Sequence, residues 1–400
     1  MHWRIVSAAT TLYILSILCL AFASVLAPAD AANGLNATGF GVESLAMGGA
    51  DSAVSADPYA LNINPAGLAL VRRPVLTQEL AAALPLDVTH EDARNPSKRV
   101  ATPAVFIANG GAARPLGERV GVGLGLFVQG GAGNSFHGLN TVFGTRDELT
   151  SMFGVVRLAL GAGVRVTDRL SAGLAVSALI GTNKQKIFPR TSSAAPAFFG
   201  YDVSRLIGVA PAVKAGLRWQ ATPALTLALT YAPQTNLTLR GNKAVVNFDA
   251  IGIGKVRYRD VKASGLNLAQ ELTIGAAYRV NERLLLAADF AWIDWSHAVK
   301  ESVLRLKEPD HPNAPPVIEA RARLGWRDQY VVSLGLAYDA SPGVRLYLGY
   351  NYARNPVPPE HLSPLLSSVI GEMHLTTGLR WRVGQAFDVG GVVGYQLRHS

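Results

Sequence analysis

The feature that most constrains this chain is an alternation of period two that returns many times along it. In the segment 153–166 the even positions are Gly154, Val156, Leu158, Leu160, Ala162, Val164 and Val166, and the odd ones include Arg157, Gly161, Gly163 and Arg165. Successive side chains of a strand point to opposite faces, so the aliphatic set shares one face and the glycines and arginines share the other. The pattern recurs at Leu170, Ala172, Leu174, Val176, Ala178 and Ile180, at Val332, Leu334, Leu336 and Tyr338, at Val344, Leu346, Leu348, Tyr350 and Tyr352, and at Leu375, Thr377, Leu379, Trp381 and Val383. An aliphatic outside and a small or polar inside fit a wall between lipid and a lumen. A soluble sandwich would carry its charges on the outer face, yet only 16% of the 400 residues are charged, against about 25% in ordinary soluble domains. Beyond residue 25 there is no apolar run of the roughly 18–20 residues that a membrane helix needs. A closed barrel is the other structure that satisfies every backbone group in lipid. The expected fold is therefore all-β, a transmembrane antiparallel β-barrel.

The N-terminus sets the compartment. A short basic start at Met1 to Arg4 precedes an apolar stretch to Leu26, and small residues at Ala29 and Ala31 follow. This is the pattern of a secretory signal peptide over 1–31, cleaved after Ala31. The chain's one cysteine, Cys19, lies inside it, and Leu18 before it argues against lipidation. Beyond it the chain has no thiol for disulfides or metals. The net charge of +9 comes without a dense basic run, so nucleic acid is excluded as a partner and outer-membrane lipids are the expected one.

Thirteen segments alternate well enough to be strand candidates, from about 73–84 to about 386–398. Tight turns near Asp168, Thr222, Asn281, Pro342 and Gly384 alternate with long irregular links near 131–152, 189–205, 241–265, 305–325 and 355–370. Short periplasmic turns opposite long outer loops are the asymmetry of an outer-membrane barrel. Trp219, Tyr231, Tyr278, Trp292, Tyr330, Tyr338, Tyr350 and Tyr352 are candidates for its interfacial girdles. Residues 32–72 do not alternate. They are rich in Gly and Ala, and forty such residues ahead of a barrel suggest a plug, leaving 73–400 for the barrel itself.

Within that plug, Ser44, Leu45, Ala46, Met47, Gly48, Gly49 and Ala50, then Ala56, Asp57, Pro58, Tyr59, Ala60 and Leu61, then Asn64, Pro65, Ala66, Gly67 and Leu68 resemble the N-terminal hatch of the outer-membrane transporters of long-chain fatty acids and aromatic hydrocarbons, the FadL/TodX type. Glu271 to Trp295, Gly325 to Tyr338 and Tyr350 to Pro358 look similar as well. The resemblance implies 14 strands around the hatch, capture of a hydrophobic ligand between outer loops, a lumenal pocket, and sideways release at a kinked third strand. This chain departs from the family at Ala353, Arg354 and Asn355, where an acidic residue is usual. It offers only Arg321 and Arg323 for a basic residue near the Gly-x-x-Asp element, and it supplies thirteen strand candidates. A shortened chain or a parallel closure of first and last strands accounts for that count better than a hidden strand.

The candidate site follows. Asn64, Pro65, Ala66 and Gly67 are the expected hatch gate, although Asn-Pro is also an ordinary turn. Gly130, Gly131 and Gly133 suit a kink in the third strand, because glycines mark bulges. Gly121, Gly123 and Gly125 are spaced by two and read as lumenal glycines that leave room for a plug or ligand. Phe136, Phe143, Phe198, Phe199, Leu362 and Leu365 are apolar residues in outer links, as for a capture groove. Arg157, Arg321, Arg323 and Trp295 complete the ligand candidates. Arg157, Arg165, Arg345 and Arg380 face inward by parity, where they could pair with a carboxylate ligand or with carboxylates of the hatch.

Catalytic and metal constellations are not found. Ser135 and His137 lack a third partner, and the eight histidines show no ligand spacing. The expected function is cofactor-free, passive uptake of hydrophobic small molecules by a monomeric barrel in the outer membrane of a Gram-negative bacterium. A nonspecific porin is the alternative, and an outer-membrane lipid hydrolase is a further one.

Overall fold

A computed structural model describes residues 33–85, 88–102, 104–361, 371–384 and 387–397. The expected signal peptide, Leu362 and Leu365 lie outside the described residues. From Val75 onward the chain is strand after strand: β1 (Val75–Ala83), a small hairpin of β2 (Thr89–Asp92) and β3 (Asn95–Arg99), β4 (Val105–Leu116), β5 (Val120–Asn140), β6 (Arg146–Arg165), β7 (Leu170–Ala194), β8 (Ala197–Gln220), β9 (Leu225–Ala232), β10 (Leu239–Gly241), β11 (Ala244–Phe248), β12 (Gly254–Ser264), β13 (Glu271–Arg279), β14 (Leu284–Ile293), β15 (Glu301–Pro309), β16 (Val317–Arg323), β17 (Gln329–Ser341), β18 (Val344–Ala353), β19 (Met373–Val383) and β20 (Phe387–Gln396).

Antiparallel registers link β1, β4, β5, β6, β7, β8, β9, β13, β14, β17, β18, β19 and β20 in that order. These thirteen wall strands are the thirteen segments expected from alternation. Among the described residues no register joins β20 to β1. The wall has the predicted polarity. Leu160, Leu174 and Leu348 are 55%, 53% and 55% exposed toward the lipid side, while Ala159, Ala175 and Ala337 on the other face are fully buried. Trp219, Tyr278, Tyr338 and Trp381 sit at one end of that outer band, and Tyr231, Trp292 and Tyr330 at the other.

The links expected to be irregular are mostly strand. The stretches 131–152 and 189–205 are largely the far ends of β5, β6, β7 and β8, and 241–265 and 305–325 hold β11, β12, β15 and β16. β10 and β11 pair with β8, β12 pairs with both and with β15, and β15 pairs with β16, so an outer sheet continues the wall beyond the membrane. The reason they escaped notice is physical. In water the sheet turns its apolar face inward and its charges outward. Val256, Tyr258, Leu304 and Leu306 are buried, while Lys255, Arg257 and Arg305 are exposed, which removes the lipid-type alternation.

Residues 33–74 form the hatch inside the wall. They hold a one-turn helix α1 (Gly41–Ala46) and two 3-10 helices, Pro58–Leu61 and Pro65–Leu70. The local chemistry sets both short helices. Asp57 accepts from Tyr59 N at 2.8 Å and Asn64 accepts from Ala66 N at 3.1 Å, and each cap is followed by proline at the first helical position. The seat of the second helix is a row of glycines. Gly121, Gly163, Gly173 and Gly216 are register partners across β5, β6, β7 and β8. A Cβ on any of them would run into the stretch Asn64 to Ala69. The lumenal glycines of the sequence thus make the space that the hatch fills.

Candidate functional site

Among the contacts that hold the hatch against the wall, four groups stand out. Asn64 Nδ2 donates to Leu217 O of β8 at 3.1 Å and to Ser52 O at 2.8 Å. Asp289 on β14 accepts from Ser52 N at 2.9 Å and Asp51 N at 3.2 Å, and Ser44 Oγ bonds to the carboxyl of Asp51. Thr376 Oγ1 donates to Ala46 O at 3.0 Å, and Asn351 Nδ2 to Gly48 O at 3.2 Å. Glu43 on α1 faces Arg380 at 3.6 Å and Arg345 at 3.9 Å. For those two arginines the hatch carboxylate, rather than a ligand, is the partner. Burial and the neighbouring charge of Asp289 push the Asp51 carboxyl well above the ordinary range. Burial pushes that of Asp57 up to about 7.

Between hatch and wall lies a cavity of about 650 Å³, counting its open mouth, lined by polar groups that include Asn36, Asp51, Gln129, Lys214, Glu271 and Asp289. A smaller adjoining cavity shares Asn36, Gln129, Lys214 and Glu271 and adds Arg157. Lys214 Nζ stands 3.3 Å from Glu271 Oε1, and Asn36 Nδ2 donates to Glu271 Oε2 at 3.2 Å. Arg157 is 6% exposed and its Nε has no hydrogen-bond partner among the described residues. On the extracellular side of this polar zone is an apolar cluster that includes Leu35, Phe153, Leu206, Leu237, Ile293 and Trp295.

The third wall strand, β5, carries a bulge at Gly130. Its register with β6 shifts between Val128 and Gly130, and Gly130 and Gly133 have φ of 145° and 153°, a region that L side chains rarely adopt. The hatch closes on this bulge. Ala37 N donates to Gln129 O at 3.0 Å, and a Cβ on Gly130 would strike the backbone of Leu35 and Ala37.

A model of the outer membrane protein transport family OMPP1/FadL/TodX matches residues 18–398. The chain belongs to that family. It is therefore a β-barrel of the Gram-negative outer membrane, in a family of transport proteins. Its fold is similar to that of the toluene transporter TbuX of Ralstonia pickettii, with a TM-score of 0.67 and 20% identity over 91% of this chain and 99% of that one. The Pseudomonas putida toluene transporter TodX gives 0.72 and 19% over 92% and 95%. A Pseudomonas aeruginosa FadL homologue gives 0.68 and 15% over 90% and 90%. At such identities these likenesses concern the fold. No curated protein sequence matches the chain.

In this FadL/TodX-family chain the ligand candidates are not brought to one place. Arg157 lines the inner cavity. Trp295, at the start of the short helix α2 (Trp295–Ala298), is fully buried in the apolar cluster, donates to Gln329 Oε1 at 3.0 Å and packs on Gly34. Phe199 joins the edge of that cluster through Phe248, at 4.8 Å between ring centroids. Phe143 stacks on Phe198 at 4.7 Å farther out, and Phe136 packs on His90 of the small hairpin. Arg321 and Arg323 are exposed on β16 outside the lumen, where Arg321 is held by Glu301 and Glu319 at 2.9 and 2.5 Å. Register explains this, because β16 belongs to the outer sheet and not to the wall. Ser135 Oγ does meet His137 Nε2 at 2.9 Å, and among the described residues no carboxylate bonds to that histidine. Sequence reasoning missed Lys214, Glu271, Asn36 and Asp289. The signal was available: Lys214 and Asp289 are charges at inward parity inside membrane strands.

Proposed function

We propose that this protein takes up hydrophobic small molecules passively, holds them in the apolar cluster beneath the outer sheet, and releases them sideways past the β5 bulge. The hatch segment around residues 35–37 is the gate. The observation that carries this reading is the seat of that segment on the bulge, with Ala37 bonded to Gln129 and Gln129 lining both cavities. A small movement of the hatch start would join the lumen to the gap in the ladder. The relatives TbuX and TodX are named toluene transporters. In this chain the buried Arg157, unpartnered at Nε beside the Lys214 and Glu271 pair, supports an amphiphile with a carboxylate head, of the long-chain fatty-acid class, because such a group would satisfy the orphaned donor.

The test is uptake of radiolabelled oleate and toluene by cells carrying the wild-type chain, Gly130→Val or Arg157→Leu. Gly130→Val drives a side chain into the seat of Leu35 and Ala37 and should change uptake of both compounds while the barrel still shows heat-modifiable folding. Arg157→Leu should lower oleate uptake about tenfold, with Arg157→Lys intermediate, and spare toluene. Normal uptake by Gly130→Val would overturn the gate, and equal effects on both compounds would overturn the carboxylate assignment. A large steady conductance in planar bilayers would favour a porin instead.

A further inference from the structure

The register of the outer sheet lines up cations on its outward face. Ile207 of β8 pairs with Arg240 of β10, Arg240 with Lys262 of β12, and Lys262 with Arg305 of β15. Residues directly opposite in antiparallel strands share a face and stand about 5 Å apart, so the three cations span about 10 Å. The inward neighbours confirm which face this is. Leu239 and Leu304 are buried, and Leu239 pairs with Ala263, itself opposite Leu304. Ile207, at the start of the row, is 46% exposed on the lipid side of β8, in line with Val209, Val213, Leu217 and Trp219. Trp219 marks the far edge of the apolar band. Ile207 lies twelve residues up the strand from it, about 40 Å along the chain at ~3.3 Å per residue and about 30 Å across the membrane at a ~40° tilt. Tyr231 of the upper aromatic set pairs with Ala215 of β8, so Ile207, eight residues farther up the strand, and the row stand on the extracellular side of the apolar band.

The charges on this row are poorly compensated from within. Glu319 of β16 ends it, 3.9 Å from Arg305, but the same carboxylate is held by Arg321 at 2.5 Å. One step along the strands Asp260 faces Lys307 in register, adding no net charge. Arg240 and Lys262 have no carboxylate within 4 Å among the described residues. A surface of this kind, above the apolar band, fits phosphate groups. Arginine accepts them bidentately and lysine as a point charge.

We infer that Arg240, Lys262 and Arg305 form a binding site for the phosphates of an outer-leaflet glycolipid, which fastens the outer sheet to the membrane surface. Charge complementarity and continuity with the lipid-facing band at Ile207 select this occupant over a soluble anion. The probe is diphosphoryl lipid A, presented in mixed detergent micelles to the full folded chain, with binding read by native mass spectrometry. Each cation at a membrane surface contributes roughly a fivefold factor in affinity. The triple variant Arg240→Gln, Lys262→Gln, Arg305→Gln should thus bind on the order of a hundredfold more weakly, while keeping its heat-modifiable fold. Each single variant should lose about fivefold, which keeps the test available if the triple variant fails to fold. Dephosphorylated lipid A should bind the wild type as weakly as the triple variant binds the diphosphoryl form. Unchanged binding by the single variants, or equal retention of dephosphorylated lipid A, would overturn the site. Displacement of lipid A by an equal concentration of inorganic phosphate would overturn the headgroup assignment.

Discussion

The side-chain amide of Asn64 donates a 3.1 Å hydrogen bond to the main-chain carbonyl of Leu217, joining the hatch to wall strand β8. The same buried side chain donates to Ser52 O and caps the helix Pro65–Leu70 through Ala66 N. One residue thus starts a helix, ties two parts of the hatch together and anchors both to the barrel.

Replacing Asn64 and Pro65 together by alanine should therefore loosen the hatch without unfolding the wall, whose ladder does not use them. Loss of the cap and of the buried bonds removes about 1–3 kcal/mol of local stability. Protease cleavage within the hatch should rise, gel heat-modifiability should persist, and uptake of the hydrophobic ligand should change. A folded variant with unchanged uptake would show that the Asn64 anchor has no part in gating.

The glycine row makes a sharper test. Gly173→Val places its side chain in the backbone of Pro65 and Ala66, with no flexible atom able to yield. The helix Pro65–Leu70 must then leave its seat, and bilayer conductance should rise as the plug is displaced. Gly391→Ala in β20 meets nothing within 4 Å and should leave conductance at the wild-type level. Equal conductance in the two variants would show that the row does not seat the plug.

These contrasts mark what was legible in the sequence. The thirteen wall strands were readable because lipid demands aliphatic residues at every second position, as at Leu158 and Leu160, and the lumen demands small ones. The outer sheet was not, because water reverses the demand, as at Lys255 and Tyr258. The short helices of the hatch carry their signals locally, in Asp57-Pro58 and Asn64-Pro65. The cavity was only half visible. Arg157 and Trp295 stood out by parity and size. The approach of Lys214 to Glu271, across two strands and 57 positions, depends on a wall register that no local pattern encodes.

That ion pair predicts a non-additive response. Lys214 and Glu271 side chains are only 10% and 20% exposed, so removing one leaves a buried charge. Lys214→Met should destabilise the folded chain by roughly 3 kcal/mol. Glu271→Met should do the same, since it also deprives Asn36 of its acceptor. The double variant should recover part of the loss, because neither member is left facing a missing partner, while Arg157 in the same cavity keeps its own buried charge. Thermal unfolding of all four proteins in detergent measures the coupling, and simple additivity would count against a shared pair.

The hatch should also answer to pH. Burial raises the Asp57 carboxyl from 3.8 to about 7, so the docked hatch keeps a proton that a released hatch has already lost. Between about pH 4 and pH 7 the docked state therefore binds more protons than the released one, and docking weakens as pH rises through that window. Below it both forms are protonated, and above it both are ionised, so the dependence flattens at either side. Asp51, also raised by burial, adds a slope of the same sign. Asp57→Asn keeps an oxygen to cap the helix Pro58–Leu61 but cannot titrate. Opening events in planar bilayers should be more frequent at pH 8 than at pH 5 for the wild type, with a smaller difference in the variant. An identical pH response in the two proteins would clear Asp57 of any part in it.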